Sequence, residues 1–379
     1  MTCSTSSGVA PIGDRAVASS RRWLAPVAAA ALLILPMGAM SAQGSCGGAR
    51  AGTPACDTTP AKAPFAATGW KTVALDHFRM QAVDPKKEAA YYAALMNWKV
   101  RSDDGSTIVM DVGGIGAVEI HGGYQPPPPP PAPPARAPGD SAGGRGGRAG
   151  GGMARPPRNV VWDSFCWVIS PWNAKTVEAE LKKRGLNPVA DNDGKGFESF
   201  HVKDPDGFDV QISNDAHLKA RKTAAKGASP APAPFEATNW STVWLDHISF
   251  EVTSYKETAA FYQALLGWKP TGDEGSQNET EIGDLGNIII RGGNANAPGF
   301  QMPAQRRVQI GHVSFGIDPW DTDKVKADLT SRGLNSRDDT GGKGDIHSEA
   351  AKYKSYHTTT PQGFDLQISN ANKERRTVR

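Results

Sequence analysis

Two consecutive stretches decide the fold: STVWLDHISFEV at 241–252 and YKETAAFYQALLGW at 255–268. Both repeat an earlier part of the same chain. Residues 63–99 and 233–269 align without a gap at a shift of 170 positions, so that LDH at 75–77 returns as LDH at 245–247. A repeat of this length indicates duplicated folding units, whose corresponding residues can be compared within one chain.

Each of these units is followed by a second repeated unit. Residues 161–213 contain VWDSFCWVIS and end in DPDGFDVQIS, while residues 310–369 contain IGHVSFGID and end in TPQGFDLQIS. The chain therefore holds four related units in two pairs. Within each unit, alternating residues predict a first strand, 3.6-residue spacing predicts a helix, and turn residues before GFD predict a hairpin leading to the last strand.

The predicted strands have one apolar and one polar face, because successive side chains point to opposite sides of a strand. We expect the helices to cover the apolar face and the polar face to curl around a cavity. The polar-face residues are His77, Arg79, Glu119, His121, His201 and Gln211 in the first half, and His247, His312, Ser314, His357 and Gln367 in the second.

The N-terminal segment has the pattern of an export signal. Arg21 and Arg22 precede an apolar run at 24–40 that ends in small residues, and SRRWL at 20–24 partly matches the twin-arginine motif. We expect residues 1–42 to be removed and the protein to be periplasmic or secreted, without stable membrane insertion. The formal net charge of +3 is too small and too dispersed to predict nucleic-acid binding.

Composition divides the rest of the chain. Residues 43–62 are a predicted spacer, 63–216 a first domain, 217–234 a linker, 235–372 a second domain and 373–379 a basic tail. The first domain is interrupted at 124–158 by a proline run followed by Gly/Arg repeats, which offer too little apolar surface to fold alone.

The paired units resemble the vicinal oxygen chelate superfamily, which includes glyoxalases, extradiol ring-cleaving dioxygenases and bleomycin-resistance proteins. The motifs that carry the resemblance are LDH at 75–77 and 245–247, AAFYQALLGW at 259–268, GHVSF at 311–315, DPDGFDVQI at 204–212 and PQGFDLQI at 361–368. The resemblance implies an α+β fold of four βαβββ modules, paired into two cupped mixed β-sheets that are flanked by helices.

The resemblance also implies a divalent metal ion (Fe, Mn, Zn or Ni) on the floor of a cup. Its ligands would be His247, His312 and Gln367, with His357 and His347 as candidate catalytic residues. A weaker second site would use His77, Glu119 and Gln211. Gln367 stands where ring-cleaving dioxygenases have a glutamate, so this site lacks a charge-compensating carboxylate and should bind metal less tightly.

Two functions of different class follow from the resemblance. The first is an exported metal-dependent enzyme that acts on a small oxygen-rich substrate, either like an extradiol dioxygenase or like a glyoxalase or isomerase. The second is a metal-free protein that sequesters a small molecule, as the bleomycin-resistance members do. The sequence does not determine the substrate, the ion or the oligomeric state.

Overall fold

The computed structural model describes residues 58–128, 158–297, 299–306 and 308–375. The predictions for the export signal, most of the spacer, most of the Pro/Gly-rich insertion and the last residues of the tail therefore lie outside the described residues. None of the helices in the described ranges is long and apolar enough to cross a membrane.

The order of strand, helix and three strands occurs four times. The first half contains β1 (Lys71–Ala82), α1 (Pro85–Met96), β2 (Lys99–Asp103), β3 (Thr107–Val112), β4 (Gly116–His121), β5 (Val160–Ser170), α2 (Ala174–Lys183), β6 (Val189–Asn192), β7 (Glu198–Lys203), β8 (Asp209–Ser213) and a short α3 (Ala216–Ala220). The second half contains β9 (Ser241–Ser254), α4 (Tyr255–Leu266), β10 (Lys269–Asp273), β11 (Gln277–Glu281), β12 (Asn287–Gly293), β13 (Gln309–Asp318), α5 (Thr322–Ser331), β14 (Arg337–Asp339), β15 (Ser355–Thr359) and β16 (Asp365–Ser369).

The modules pair as predicted. Modules one and two form one eight-stranded sheet in the order β2-β3-β4-β1-β5-β8-β7-β6, and modules three and four form another in the order β10-β11-β12-β9-β13-β16-β15-β14. Each sheet is mixed, since the two first strands run antiparallel at the centre and each first strand is parallel to the last strand of its own module. The predicted α+β fold class is confirmed.

The apolar faces contribute to one continuous core rather than to two separate cores. Phe165 of the first sheet lies 6.0 Å from Phe250 of the second, and Trp162 stacks on Phe364 at 5.0 Å between ring centroids. Helices thus cover the apolar faces as expected, but the faces of the two halves also pack on each other. This burial of large aromatic rings is the main stabilising contribution.

Equivalent hydrogen bonds join the halves in both directions. The indole of Trp98, after α1, donates to Thr242 Oγ1 of β9 at 2.9 Å, and the indole of Trp268, after α4, donates to Thr72 Oγ1 of β1 at 3.0 Å. Both tryptophans are buried, so each indole N–H needs such a partner. The duplicated sequence therefore produces an internal pseudo-twofold interface.

Candidate functional site

Three histidines of the second half line a cavity of about 270 Å³ on the polar face of the sheet: His247, His312 and His357. They come from β9, β13 and β15. Register brings them together, because His247 pairs with Ser314, Ser314 with Gln367, and Gln367 with His357 across four adjacent strands. His312 lies in the next row beside Asp365.

The imidazoles of His247 and His312 face each other. Their Nε2 atoms are 3.1 Å apart, which is also the separation of two nitrogens bound to one ion at about 2.1 Å each. Burial, together with the neighbouring His247 and His357, lowers the pKa of His312 far below its usual value. His312 is therefore neutral at physiological pH, and a neutral imidazole is the form that binds metals.

Gln367 is held in one orientation by two hydroxyl groups. Its Nε2 donates to Ser355 Oγ at 2.7 Å and to Tyr353 Oη at 3.0 Å. Both amide protons are thus used, and the carbonyl Oε1 points the other way. Oε1 is buried and has no hydrogen-bond partner within the described parts of the chain. An oriented, unsatisfied carbonyl oxygen on the strand between those of His312 and His357 fits the role of a metal donor.

The buried carboxylate of Asp246 holds neighbouring residues of the candidate site in position. Its Oδ2 accepts hydrogen bonds from Ser314 Oγ at 2.8 Å and from Tyr353 Oη at 2.7 Å, and it lies 3.3 Å from His247 Nδ1. A bulge makes this possible: Leu245 pairs with Phe315 and His247 with Ser314, which leaves Asp246 as an extra residue on β9. The buried carboxylate therefore supports a candidate ligand, His247, and the tyrosine that orients another.

His357 is bonded to a carboxylate on each side. Its Nδ1 lies 2.9 Å from Asp365 Oδ1 and its Nε2 lies 3.4 Å from Asp339 Oδ2. Although burial lowers the pKa of His357, the hydrogen bonds to the two carboxylates raise it more, and the net shift is upward. The raised pKa favours the imidazolium, the form that can give a proton to a molecule in the cavity.

Three functional candidates were not recognised as such in the sequence: Asp365, Asp339 and Tyr353. Asp365 shares the polar face with Gln367 two residues later, so strand alternation could have identified it. One ligand atom from each of His312, His357 and Asp365 lies within 4.8 Å of the others, a second donor set that includes a carboxylate. Asp339 is the last residue of β14, and Tyr353 lies just before β15. Patterns in the sequence do not indicate that these two short strands pair.

The structure does not bring His347 to this cavity. The His347 side chain is 60% exposed, and its closest ionic neighbour is Asp323 at 3.8 Å. His347 lies in the loop between β14 and β15, where its backbone N–H donates to Asp345. The loop places the His347 side chain in solvent. His347 therefore does not line the cavity with His357, the other candidate catalytic residue.

The first half arranges the corresponding residues differently. His77 Nδ1 bonds to Asp76 Oδ1 at 2.8 Å, and His77 Nε2 lies 3.7 Å from Glu119 Oε2, which is 3.5 Å from His121 Nε2. Gln211 is turned towards Ser199, to whose Oγ it donates at 2.8 Å. His77 and Glu119 are therefore neighbours, and Gln211 makes with Ser199 the same hydrogen bond that Gln367 makes with Ser355.

Residues at and after α3 occupy the first cup. His217 Nδ1 and Arg221 Nη2 each lie 3.0 Å from Asp76 Oδ1, and the His217 ring stacks on Phe197 at 3.9 Å. Donor atoms of Asp76, His77 and Cys166 lie within 4.8 Å of one another, but the guanidinium beside Asp76 opposes a cation there. Phe197 holds the place of Tyr353, so the phenol that orients Gln367 has no counterpart.

We expect Tyr353→Phe to weaken divalent-metal binding by about 10-fold, since losing a partner that orients a ligand typically costs 10- to 100-fold. The substitution frees one Gln367 proton and one Asp246 acceptor while preserving the ring. Calorimetric titration with Mn²⁺ measures the effect. Tyr356→Phe is the matched control, because Tyr356 lies in β15 but donates to Thr322 O, away from the cavity. Equal losses in both variants would contradict the orienting role.

Comparison with known proteins gives structural but not sequence relatives. No protein-family model matches the chain, and no curated protein sequence matches it. The fold is similar to that of the Mn(II)-bound glyoxalase from Novosphingobium aromaticivorans, with a TM-score of 0.50 and 16% identity over 79% of this chain and 82% of the other.

Two dioxygenase structures are similar to the same extent. The 2,3-dioxygenase LapB from Pseudomonas sp. KL28 has a TM-score of 0.50 and 10% identity, covering 79% of this chain and 92% of its own. A catechol 2,3-dioxygenase has a TM-score of 0.50 and 12% identity, covering 79% and 88%. At such identities the likeness establishes a shared fold.

Proposed function

Because this chain has the fold of the vicinal oxygen chelate superfamily, to which glyoxalases and extradiol dioxygenases belong, we propose that it is a metal-dependent enzyme acting on a small oxygen-rich molecule. The cavity between β9, β13, β15 and β16 is the proposed active site. One observation carries the proposal: two buried imidazole nitrogens lie 3.1 Å apart in the cavity, and the strand next to that of His312 carries a buried glutamine, Gln367, whose carbonyl oxygen is unsatisfied within the described residues.

The residues fit a divalent ion by their chemistry. His247, His312 and Gln367 would supply two nitrogens and one oxygen, a donor set that suits transition ions and Mn²⁺. When bound, the ion would act as a Lewis acid on two neighbouring substrate oxygens. Asp246 and Tyr353 hold His247 and Gln367 in place, as partners of metal ligands commonly do.

His357 is the proposed proton donor. It lines the same cavity, and the contacts of its two ring nitrogens with Asp339 and Asp365 favour its protonated form. The two carboxylates also fix the ring, so the proton is presented at a defined position. His347, exposed at the surface, is not part of this proposal.

The donor set favours isomerase-like or lyase-like chemistry over ring cleavage. Three neutral ligands leave both positive charges of the ion uncompensated, which strengthens its attraction for anionic oxygens. They lack the carboxylate of the two-histidine, one-carboxylate set that non-haem iron oxygenases use. Asp365, two residues from Gln367, is the nearest source of such a carboxylate, but it is hydrogen-bonded to His357.

Metal analysis of the purified protein tests the proposal. We expect close to one divalent ion per chain, removable by a chelator, and a small-molecule ligand that binds only to the metal-loaded protein. Ligand binding that is unaffected by complete removal of metal would instead favour the sequestering function. Absence of metal binding at micromolar concentrations of Mn²⁺, Fe²⁺, Zn²⁺ and Ni²⁺ would refute the proposed enzyme.

Gln367→Glu should tighten Mn²⁺ binding by about 10-fold or more, because the variant adds the missing negative charge at the same position. The unsatisfied Oε1 would become one oxygen of a carboxylate, and the other oxygen would accept from the Ser355 and Tyr353 hydroxyls once their protons turn from Asp339 O and Asp246 Oδ2. Calorimetric titration of both proteins measures the change. The control is Gln211→Glu at the equivalent position of the first half, which should leave Mn²⁺ affinity unchanged. Weaker binding by Gln367→Glu would remove residue 367 from the ligand set.

A further inference from the structure

The cavity around His247 and His312 offers little apolar surface to a substrate. Among the described residues that line it, Ile289 has the only aliphatic side chain, and Tyr353 is the only carbon ring, with its hydroxyl turned to Asp246. Burial of an aromatic ring is favourable chiefly through contact with apolar surface. A planar aromatic substrate would find such contact on one side at most, so the lining suits a compact polar molecule.

The charges of the lining nearly cancel without a metal ion. Two arginines, Arg291 and Arg337, face three carboxylates, those of Glu251, Asp339 and Asp365. The carboxylates already have partners: Asp339 and Asp365 bond to His357, and Glu251 accepts from Gln309. An ion bound by three neutral ligands would add two uncompensated positive charges. The loaded cavity would therefore require an anionic ligand for electrostatic balance.

A second cavity extends the positive region outward. It has a volume of about 310 Å³ and shares Arg337, His357 and Asp365 with the first. Arg158, from the start of the second module, lines it and is fixed by a hydrogen bond of 3.1 Å from Nη2 to Gly311 O. Gly311 itself lines the inner cavity beside His312. Two arginines thus lie along the route from solvent to the histidine pair.

We propose that the site takes small, non-aromatic carboxylates that carry a second oxygen on the adjacent carbon, the 2-hydroxy and 2-oxo acid class. This inference rests on the proposed function. One carboxylate oxygen and the neighbouring hydroxyl or carbonyl oxygen supply the pair that a divalent ion chelates. The remaining carboxylate oxygen accepts from Arg337, a charge-assisted contact that a phenolic substrate cannot make in the same way.

The first half supports the assignment by contrast. Val189 pairs with His201 in the first sheet just as Arg337 pairs with His357 in the second, so Val189 holds the place of Arg337. Val189 is 65% exposed, and His217 and Arg221 already bind the Asp76 carboxylate there. The arginine is thus specific to the half in which the two histidines meet.

Calorimetry on the full-length Mn²⁺-loaded protein tests the inference, with L-lactate, pyruvate and catechol as probes. We expect at least one of the two acids to bind about 10-fold more tightly than catechol. Arg337→Gln should weaken acid binding by about 10-fold without weakening Mn²⁺ binding, since Arg337 contacts the substrate and not the ion. Lys343→Gln, which removes an equal charge from a nearby exposed loop, is the control and should leave acid binding unchanged.

The outcomes separate this inference from the proposed function. Tighter binding of catechol than of both acids, or equal acid affinity in wild type and Arg337→Gln, would overturn the substrate class while the metal enzyme stands. Failure of the wild-type protein to bind Mn²⁺ or another divalent ion would overturn the proposed function, and this inference with it. A matching loss of acid binding in Lys343→Gln would show that only the long-range charge matters, which also contradicts a contact by Arg337.

Discussion

His312→Ala should lower the affinity for Mn²⁺ at least about 100-fold, which in a calorimetric titration amounts to loss of detectable binding. The variant removes one of two imidazole nitrogens that lie 3.1 Å apart in the cavity floor. The remaining donors, His247 and Gln367, are both neutral, and two neutral donors hold a hydrated ion poorly.

The equivalent histidine of the first half provides the control. His77→Ala should leave the metal stoichiometry unchanged, because the first cup has Ser164 in the place of His312 and holds Arg221 against the Asp76 carboxylate. Circular dichroism and thermal unfolding of both variants verify that the fold is retained. Metal loss in His77→Ala together with full binding in His312→Ala would show that the first half holds the site.

Glu88→Gln should make the protein more stable above neutral pH by about 3 kcal/mol, the free energy that corresponds to raising the pKa of Glu88 from 4.5 to about 7. Glu88 of α1 is fully buried at the interface between the halves, where its Oε1 accepts from Thr360 Oγ1 at 2.9 Å and from Gln362 N at 3.0 Å. Burial raises the pKa of Glu88 from 4.5 to about 7 despite these hydrogen bonds. Glutamine can accept the same bonds without a charge.

The direction of the pH effect follows from the raised pKa. Between about pH 4.5 and 7 the folded protein binds a proton at Glu88 that the unfolded chain releases, so the contribution of Glu88 to wild-type stability is full below pH 4.5 and is lost as the pH rises through 7. Urea unfolding at pH 5, 6, 7 and 8 measures this slope, which Glu88→Gln should reduce. Glu178→Gln, an exposed glutamate of α2, is the control. Equal slopes in wild type and Glu88→Gln would contradict the prediction.

A second buried carboxylate at the interface between the halves, that of Asp204, should make the decrease of stability with rising pH steeper. Burial raises the pKa of Asp204, in the turn before β8, to about 7, and Tyr262 of α4 donates to it at 3.2 Å. In one contact the buried carboxylate is that of Glu88 in helix α1, and in the other it is that of Asp204 in the turn before β8. Both contacts lose stability when the carboxylate ionises, because each lies where water cannot solvate the charge.

Repetition and alternation were sufficient to predict the architecture. Two first strands with the same LDH sequence, and two last strands with GFD followed by an amide, had to occupy equivalent places, and strand periodicity put His247, His312 and Gln367 on one face. The predicted pairing of modules one with two and three with four is confirmed by the strand order. These features are local, so they can be read from spacing along the chain.

The details of the candidate site depend on contacts between distant residues and on one local irregularity. Strict alternation would place Asp246 opposite His247, but the bulge in β9 brings both to the cavity side. No periodicity indicates that Tyr353 would reach both Asp246 and Gln367, or that Arg158 would line a cavity of the second half. The loop after β14 likewise carries His347 to the surface.

The sequence by itself determined the four modules, their pairing and the faces of their strands, because these follow from the order and spacing of side chains along each strand and helix. Only the tertiary structure decided which cup is open and which is filled. In the first half α3 and Arg221 occupy the cup, whereas in the second half Tyr353 and Arg337 line an open cavity. Arg221 stands far from His77 in sequence, as Tyr353 and Arg337 do from His247, and burial of one shared aromatic core fixes where they meet.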